Sequence, residues 1–331
     1  MPELPEVQTT VNGLRSRVLK RTFVDVWSDW EKIIKKPKDF KVFKKEIKGK
    51  KIIKIWRRAK NIIFNLSEGY SLLIHQKMTG HLMVGEWKLK KPFGVGHSAE
   101  LSRSPQGKWQ PIKKGPLEEK INTFLHVIFF LDNPPSHKAS NGQGAKMLAL
   151  SDVRKFAKIE LWKTEELLNS EDFNKLGPEP LDKSFTFKKF KETLQCKKSL
   201  PPAYRQAGAG RQGKVKQVLM NPEVIAGIGN IYSNEALWWS KINPQKNVSE
   251  LKLKELKLLY DSIKKVLLAG IRLRGESFSD YRDVDGKKGH FDEERKVYKR
   301  EKEKCSRCGT VIKRLKFGGR SAFFCPNCQG L

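Results

Sequence analysis

Gly227-Ile228-Gly229-Asn230-Ile231-Tyr232, running on into Glu235-Ala236-Leu237, is the stretch on which the fold reading turns. Two glycines ahead of a helical run let backbone amides approach an anion, and the helix dipole favours negative charge, a phosphate above all, at that end. Alone, a Gly-x-Gly is also an ordinary tight turn, so its surroundings decide. Residues 232–239 read as the helix that follows. On either side, 185–196, Val215–Met220 and an amphipathic run from about 250 to 270 give a helical half of the chain. Further on, Cys305-Ser306-Arg307-Cys308 is followed after sixteen residues by Cys325-Pro326-Asn327-Cys328. Two Cys-x-x-Cys turns at that separation fit a zinc ribbon holding one structural Zn²⁺, since four thiolates leave no open coordination position. The hairpin between them carries Lys313, Arg314, Lys316 and Arg320 around Gly318-Gly319, a basic finger suited to phosphates.

The bulk composition agrees. In 331 residues, 67 Lys and Arg oppose 36 acids, a formal charge of +31. Nucleic acid relieves such self-repulsion through counterion release. No apolar run is long enough for a membrane span, and the acidic, proline-rich start is unlike a signal peptide. The paired cysteines, with Cys196 alone, fit a reducing cytoplasm rather than a disulfide framework.

The other half of the chain is β-rich. After Pro5, Val7, Val11, Leu14 and Val18 recur at helical spacing, with Glu6 at the positive end of the dipole. Short strands follow at 51–56, Asn61–Leu66, 71–74, 123–131, 145–150 and 157–162, an antiparallel sandwich in pattern. Polar stretches at 86–120 and 132–144 read as surface insertions, and 197–212 as a further basic one. Leu176-Gly177-Pro178-Glu179-Pro180 marks a boundary. The expected architecture is α+β and multidomain. A β-sandwich occupies 1–175, a helical domain with a mobile loop at 275–292 occupies 183–292, and a ribbon occupies 297–331.

Taken together, these motifs resemble formamidopyrimidine-DNA glycosylases. The resemblance rests on Pro2-Glu3-Leu4-Pro5-Glu6-Val7, Arg57-Arg58-Ala59-Lys60, Ile74-His75-x-x-Met78-Thr79-Gly80-x-Leu82, Asp152-Val153-Arg154-Lys155-Phe156, Gly177-Pro178-Glu179-Pro180, the Gly227–Tyr232 turn and the ribbon, all in family order. Gln76-Lys77 and Ala157 depart from the usual pattern. The resemblance implies a helix-two-turn-helix domain and a bifunctional glycosylase/AP lyase of base-excision repair. Its partner would be double-stranded DNA bearing oxidised purines or abasic sites, met by a monomer in the bacterial cytoplasm at the nucleoid.

The resemblance also assigns roles. Pro2 would be the Schiff-base nucleophile and Glu3 the proton donor. Lys60 and Arg320 would act at phosphates and in β- and δ-elimination. His75, Met78, Arg154, Phe156, Lys216, Asn230 and Tyr232 would contact DNA, with Arg154 facing the orphaned base and Phe156 wedging the stack. Glu6 would belong to the active-site surroundings, Glu179 would brace the N-terminus or the domain junction, and 275–292 would close over the flipped base. Proline suits the first role because loss of Met1 turns its nitrogen into a secondary amine, whose attack at C1′ gives a cationic iminium. A sister class, endonuclease VIII, shares the nucleophile but takes oxidised pyrimidines; Leu4 and the Arg154-x-Phe156 pair favour the purine branch. A catalytically silent zinc-ribbon DNA binder is the third reading, and would need a blocked Pro2.

Overall fold

The computed structural model describes residues 1–90, 108–132, 146–195, 213–277, 280–317 and 319–330. Cys196, the stretch 197–212 and nearly all of 132–144 lie outside them, as do 91–107 within the expected insertion at 86–120. In chain order the elements are α1 (Leu4–Val18), β1 (Phe23–Ser28), β2 (Ile34–Lys36), α2 (Phe40–Ile47), β3 (Ile52–Arg58), β4 (Asn61–Leu66), β5 (Tyr70–His75), β6 (His81–Gly85), β7 (Trp87–Lys90) and β8 (Lys108–Pro111). They continue with β9 (Leu125–Leu131), β10 (Met147–Ser151), β11 (Lys158–Lys163), α3 (Thr164–Asn169), α4 (Glu171–Asn174), α5 (Phe187–Gln195), α6 (Val215–Met220), α7 (Asn230–Trp239), α8 (Leu253–Arg272), β12 (Lys313–Phe317) and β13 (Arg320–Phe324). Among the described residues no helix is long and apolar enough to cross a membrane.

Alternation along the strands builds the sandwich. One sheet runs β1-β9-β10-β6 and the other β2-β11-β5-β4-β3. Residues two apart, such as Ile62 and Phe64, Leu72 and Ile74, Val127 and Phe129, and Leu148 and Leu150, point into one shared core. Val7, Val11, Leu14 and Val18 of α1 complete it, and each such buried aliphatic side chain contributes ~1.5–3 kcal/mol. The pairing is not wholly antiparallel, because β2 lies parallel to β11. Strands β1 and β6 join the expected set, and β7 with β8 forms a hairpin inside the stretch read as an insertion.

Leu4 does not join the sandwich core. It packs with Val215, Leu219, Ile228, Ile231, Tyr232 and Leu267 in the core of the helical half. Helix α1 therefore begins in one core and continues along the other, which fixes the N-terminus at their junction. Glu179 fastens the same junction. It accepts from the Ala59 amide at 2.6 Å and pairs with Arg57 at 2.6 Å and Arg58 at 3.2 Å. Arg58 also donates to the Leu176 and Gly177 carbonyls.

The expected mobile loop is anchored over most of its described length. Val84 donates to the Val284 carbonyl at 2.8 Å, Asn122 to that of Gly286 at 3.0 Å, and the Arg282 Nε to Glu119 at 2.7 Å. Its glycines and charges suggested motion because a solvated loop has the same composition; here they serve turns and ion pairs against the sandwich.

Candidate active site

Helices α1 and α7 meet end to end. Leu4 donates its amide to the Gly227 carbonyl at 3.0 Å, and the Glu3 carboxylate sits on the first turn of α7. It accepts from the amides of Gly229 at 2.7 Å, Ile231 at 2.8 Å and Tyr232 at 3.4 Å. The glycine turn thus receives a carboxylate as its anion-binding pattern suggests: the amides of Gly229, Ile231 and Tyr232 are taken by Glu3. Gly229 is required by space: a Cβ there would stand 2.5 Å from the Glu3 Oε1.

Glu6 is a second buried hub. It accepts from the Glu3 amide at 2.7 Å, the Tyr232 hydroxyl at 2.7 Å and the Glu276 amide at 2.8 Å. Burial, and then the neighbouring Glu3, push its carboxyl above the ordinary range.

Pro2 lines a cavity of about 60 Å³ with Met1, Met78, Ile231, Glu276, Tyr281, Tyr298 and Lys299. Burial holds the terminal amine of Met1 below its usual range, with Lys60 acting the same way and Glu3 and Glu6 opposing. Lys60 is itself lowered, first by burial and further by Arg320, while Glu3 and Glu6 oppose, so Lys60 stands within electrostatic reach of Arg320 and of both acids. Arg320 is exposed at the start of β13.

Two DNA-contact assignments are corrected. Tyr232 is 1% exposed, with its ring packed on Phe291 at 4.8 Å and its hydroxyl committed to Glu6. Lys216 is fully buried, donating to the Asn230 Oδ1 at 2.8 Å and the Ser233 Oγ at 3.4 Å. Burial lowers its ammonium to about 7. Both residues hold the start of α7 in place from within and present no surface to a duplex. Asn230, half-exposed, remains at the site edge with its side-chain oxygen occupied by Lys216.

The expected wedge residues stand out from the surface together. Phe156 is 52% and Met78 38% exposed, and the Arg154 guanidinium lies 4.6 Å from the Phe156 ring centre. Their loops are knitted by buried Asp152, which accepts from Thr79, from the Arg154 amide at 3.2 Å and from the Ala157 amide at 2.7 Å. Lys77 and Lys155 turn the loops at φ 53° and 57°. His75 accepts the Lys77 amide at Nδ1, at 2.9 Å, and burial lowers its pKa to about 3. It is a neutral imidazole whose proton sits on Nε2, ready to donate.

At the C-terminus the four Sγ atoms of Cys305, Cys308, Cys325 and Cys328 lie within 4.8 Å of one another. A tetrahedral zinc with bonds of ~2.3 Å sets its sulfurs ~3.8 Å apart, so this donor set fits the ion. The ribbon is docked on α7. Trp238 donates to the Cys305 Sγ at 3.4 Å, the Phe323 amide to Asn234 at 2.9 Å, and Gln329 to the Ile242 carbonyl at 2.9 Å. Buried Glu235 accepts the amides of Lys296, Val297 and Tyr298 at 2.8, 3.0 and 2.8 Å. Sequence reading quoted Asp152 and Glu235 within motifs without giving them a role, and missed Asn234, Trp238 and Glu276. For Asn234 and Glu235 the available signal is a polar side chain on a helix otherwise rich in apolar residues.

Three family models match in order. They are the formamidopyrimidine-DNA glycosylase N-terminal domain over 1–159, the H2TH domain over 176–282, and the zinc finger found in FPG and IleRS over 302–330. The chain is 34% identical over 331 residues to the formamidopyrimidine-DNA glycosylase of Pelotomaculum thermopropionicum, covering 99% of each. It is 32% identical over 329 residues to that of Desulfitobacterium hafniense, covering 99% of this chain and 100% of the other. Among solved structures, MutM in complex with carbocyclic 8-oxo-G containing DNA matches with TM-score 0.75 and 29% identity over 100% of both chains. The Lactococcus lactis Fpg bound to abasic-site DNA matches with TM-score 0.75 and 30% identity over 99% of this chain and 100% of that one. The chain belongs to the formamidopyrimidine-DNA glycosylase family.

Proposed function

We propose that this protein is a bifunctional DNA glycosylase and AP lyase that removes oxidised purines from double-stranded DNA, 8-oxoguanine and formamidopyrimidines among them, with Pro2 as nucleophile. The observation that carries the reading is the placement of Pro2. It lines a cavity beside Met78, its neighbour Glu3 is clamped by α7, and Lys60 lies within electrostatic reach of both Glu3 and Arg320.

Once Met1 is removed, the Pro2 nitrogen attacks the sugar C1′. The glycosidic bond breaks, the base leaves with the electron pair and a proton, and ring opening gives an iminium. Its positive charge acidifies the C2′ proton, whose loss expels the 3′ phosphate; a second elimination expels the 5′ phosphate. Pro2 is buried, and burial disfavours a charged amine, which favours the neutral, nucleophilic form.

Glu3, fixed next to the nucleophile, delivers and takes the proton at the opening sugar. Lys60 and Arg320 hold phosphates and assist β- and δ-elimination. His75, through Nε2–H, and Asn230 contact the backbone, while Met78, Arg154 and Phe156 fill the stack when the nucleotide is flipped. The ribbon zinc is structural.

Borohydride trapping of the Met1-processed protein tests the reading, on one duplex bearing 8-oxoguanine opposite cytosine and one bearing an oxidised pyrimidine. A covalent adduct mainly on the purine duplex is expected. An adduct mainly on the pyrimidine would move the protein to the sister class, and no adduct on either would refute the Pro2 chemistry.

A further inference from the structure

Lys299 lines the same cavity as Pro2 and stands in the left-handed region at φ 56°. Among the described residues that line this cavity, it is the one at positive φ. A lysine gains nothing conformationally from that region, and such strain persists where the surroundings over-determine the backbone. They do so here. Glu235, buried in α7, takes the three amides of Lys296, Val297 and Tyr298. The Arg300 amide then closes the turn on the Val297 carbonyl at 3.1 Å, and the Arg300 guanidinium reaches back to the Arg295 carbonyl at 2.8 Å. The segment is therefore registered to the same helix that clamps Glu3. Lys299 is exposed at the tip of this turn.

We propose that Lys299 is a DNA contact of this enzyme, its ammonium binding the phosphodiester of the nucleotide drawn toward Pro2. This rests on the glycosylase reading above. Lys299 lines the cavity together with Pro2 and is exposed, so the sugar-phosphate of a nucleotide brought to Pro2 comes within reach of its ammonium. A flexible point charge at a rim suits a phosphate oxygen better than the planar edge of a base. Partial burial and Arg295 lower the Lys299 ammonium, while Glu276, Asp280 and Glu301 sustain its charge. The acids keep a cation there in the free protein, and a phosphate adds a further partner for it.

The test is equilibrium binding of the full zinc-loaded protein to a duplex carrying a tetrahydrofuran abasic analogue, measured from about 50 to about 200 mM salt. Losing one phosphate contact lowers the log–log salt slope by ~0.9, so Lys299→Gln should shrink the ratio of Kd at the two ends by about 3.5-fold. Lys299→Arg should keep the wild-type slope. Lys299→Gly, which frees the turn but removes the charge, should match the glutamine variant. A glutamine variant with the wild-type slope overturns the proposal, and so does an arginine variant as impaired as glutamine. If excision falls and its pH profile moves while the slope stays unchanged, Lys299 handles a proton and the phosphate role is wrong. Failure of wild-type borohydride trapping would sink the glycosylase reading separately, and the salt slopes on the analogue would still decide Lys299.

Discussion

Gly229→Ala isolates the contact on which the proposed chemistry depends. The Gly229 backbone lies at φ −137°, where alanine is at ease, so the substitution brings no backbone strain, only volume. The added methyl would stand 2.5 Å from Oε1 of Glu3 and 2.8 Å from its Cγ. Ordinary contact begins near 3.4 Å, so the carboxylate must retreat by about 1 Å. It would then lose the geometry of the bonds from Gly229, Ile231 and Tyr232. A displacement of that size at reacting groups costs ~100-fold in rate, and the overpacking costs ~1–3 kcal/mol of stability. Single-turnover excision from an 8-oxoguanine duplex should therefore slow about 100-fold. Affinity for an abasic-analogue duplex should change much less, because exposed Met78, Phe156 and Arg320, the proposed DNA contacts, lie on other elements. Excision within a factor of three of wild type, in a variant shown by circular dichroism to be folded, would refute the claim that the α7 clamp places Glu3 for catalysis.

Two further outcomes follow from burial and from the metal site. Lys216 titrates near 7 when folded and near its ordinary 10.5 when unfolded; the unfolded chain binds the extra proton between these values, so this group makes stability rise with pH across that window. The integrated difference is roughly 5 kcal/mol, and urea unfolding of Lys216→Met should lack that rise relative to wild type; parallel curves would contradict it. Stripping zinc with a chelator should unfold the ribbon and lower duplex affinity at least ~10-fold while the sandwich keeps its β signal, and unchanged affinity in verified metal-free protein would place the DNA contacts elsewhere.

The sandwich strands were legible because a half-buried sheet imposes period two, as in Ile62 and Phe64 or Leu72 and Ile74. The cysteine quartet was legible because its spacing is chemistry. The short β2 strand and its parallel partnership were not, since three residues carry no period. Nor was the burial of Lys216 and Tyr232. The resemblance gives Lys216 and Tyr232 as DNA contacts until one knows that their polar atoms already serve Asn230 and Glu6. The anion-binding turn was legible as a turn, but the carboxylate it holds was not, because Glu3 is 226 residues away from Gly229 in sequence.

That long-range contact explains why the chain builds its site around one helix. Eight of the ten residues of α7 are buried, with apolar and polar side chains on every face. Its first turn fixes Glu3, Asn234 fixes β13 through the Phe323 amide, Glu235 fixes the turn that carries Tyr298 and Lys299, and Trp238 touches a zinc ligand. The N-terminal amine comes from the sandwich half and Arg320 from the ribbon, and neither element alone could set the distance between them. Both are referenced to α7, a rigid element with its buried polar groups satisfied from both sides. A reaction that needs a nucleophile and its phosphate contacts in register, drawn from opposite ends of the chain, is served by that arrangement, and loosening either attachment should impair excision more than it impairs folding.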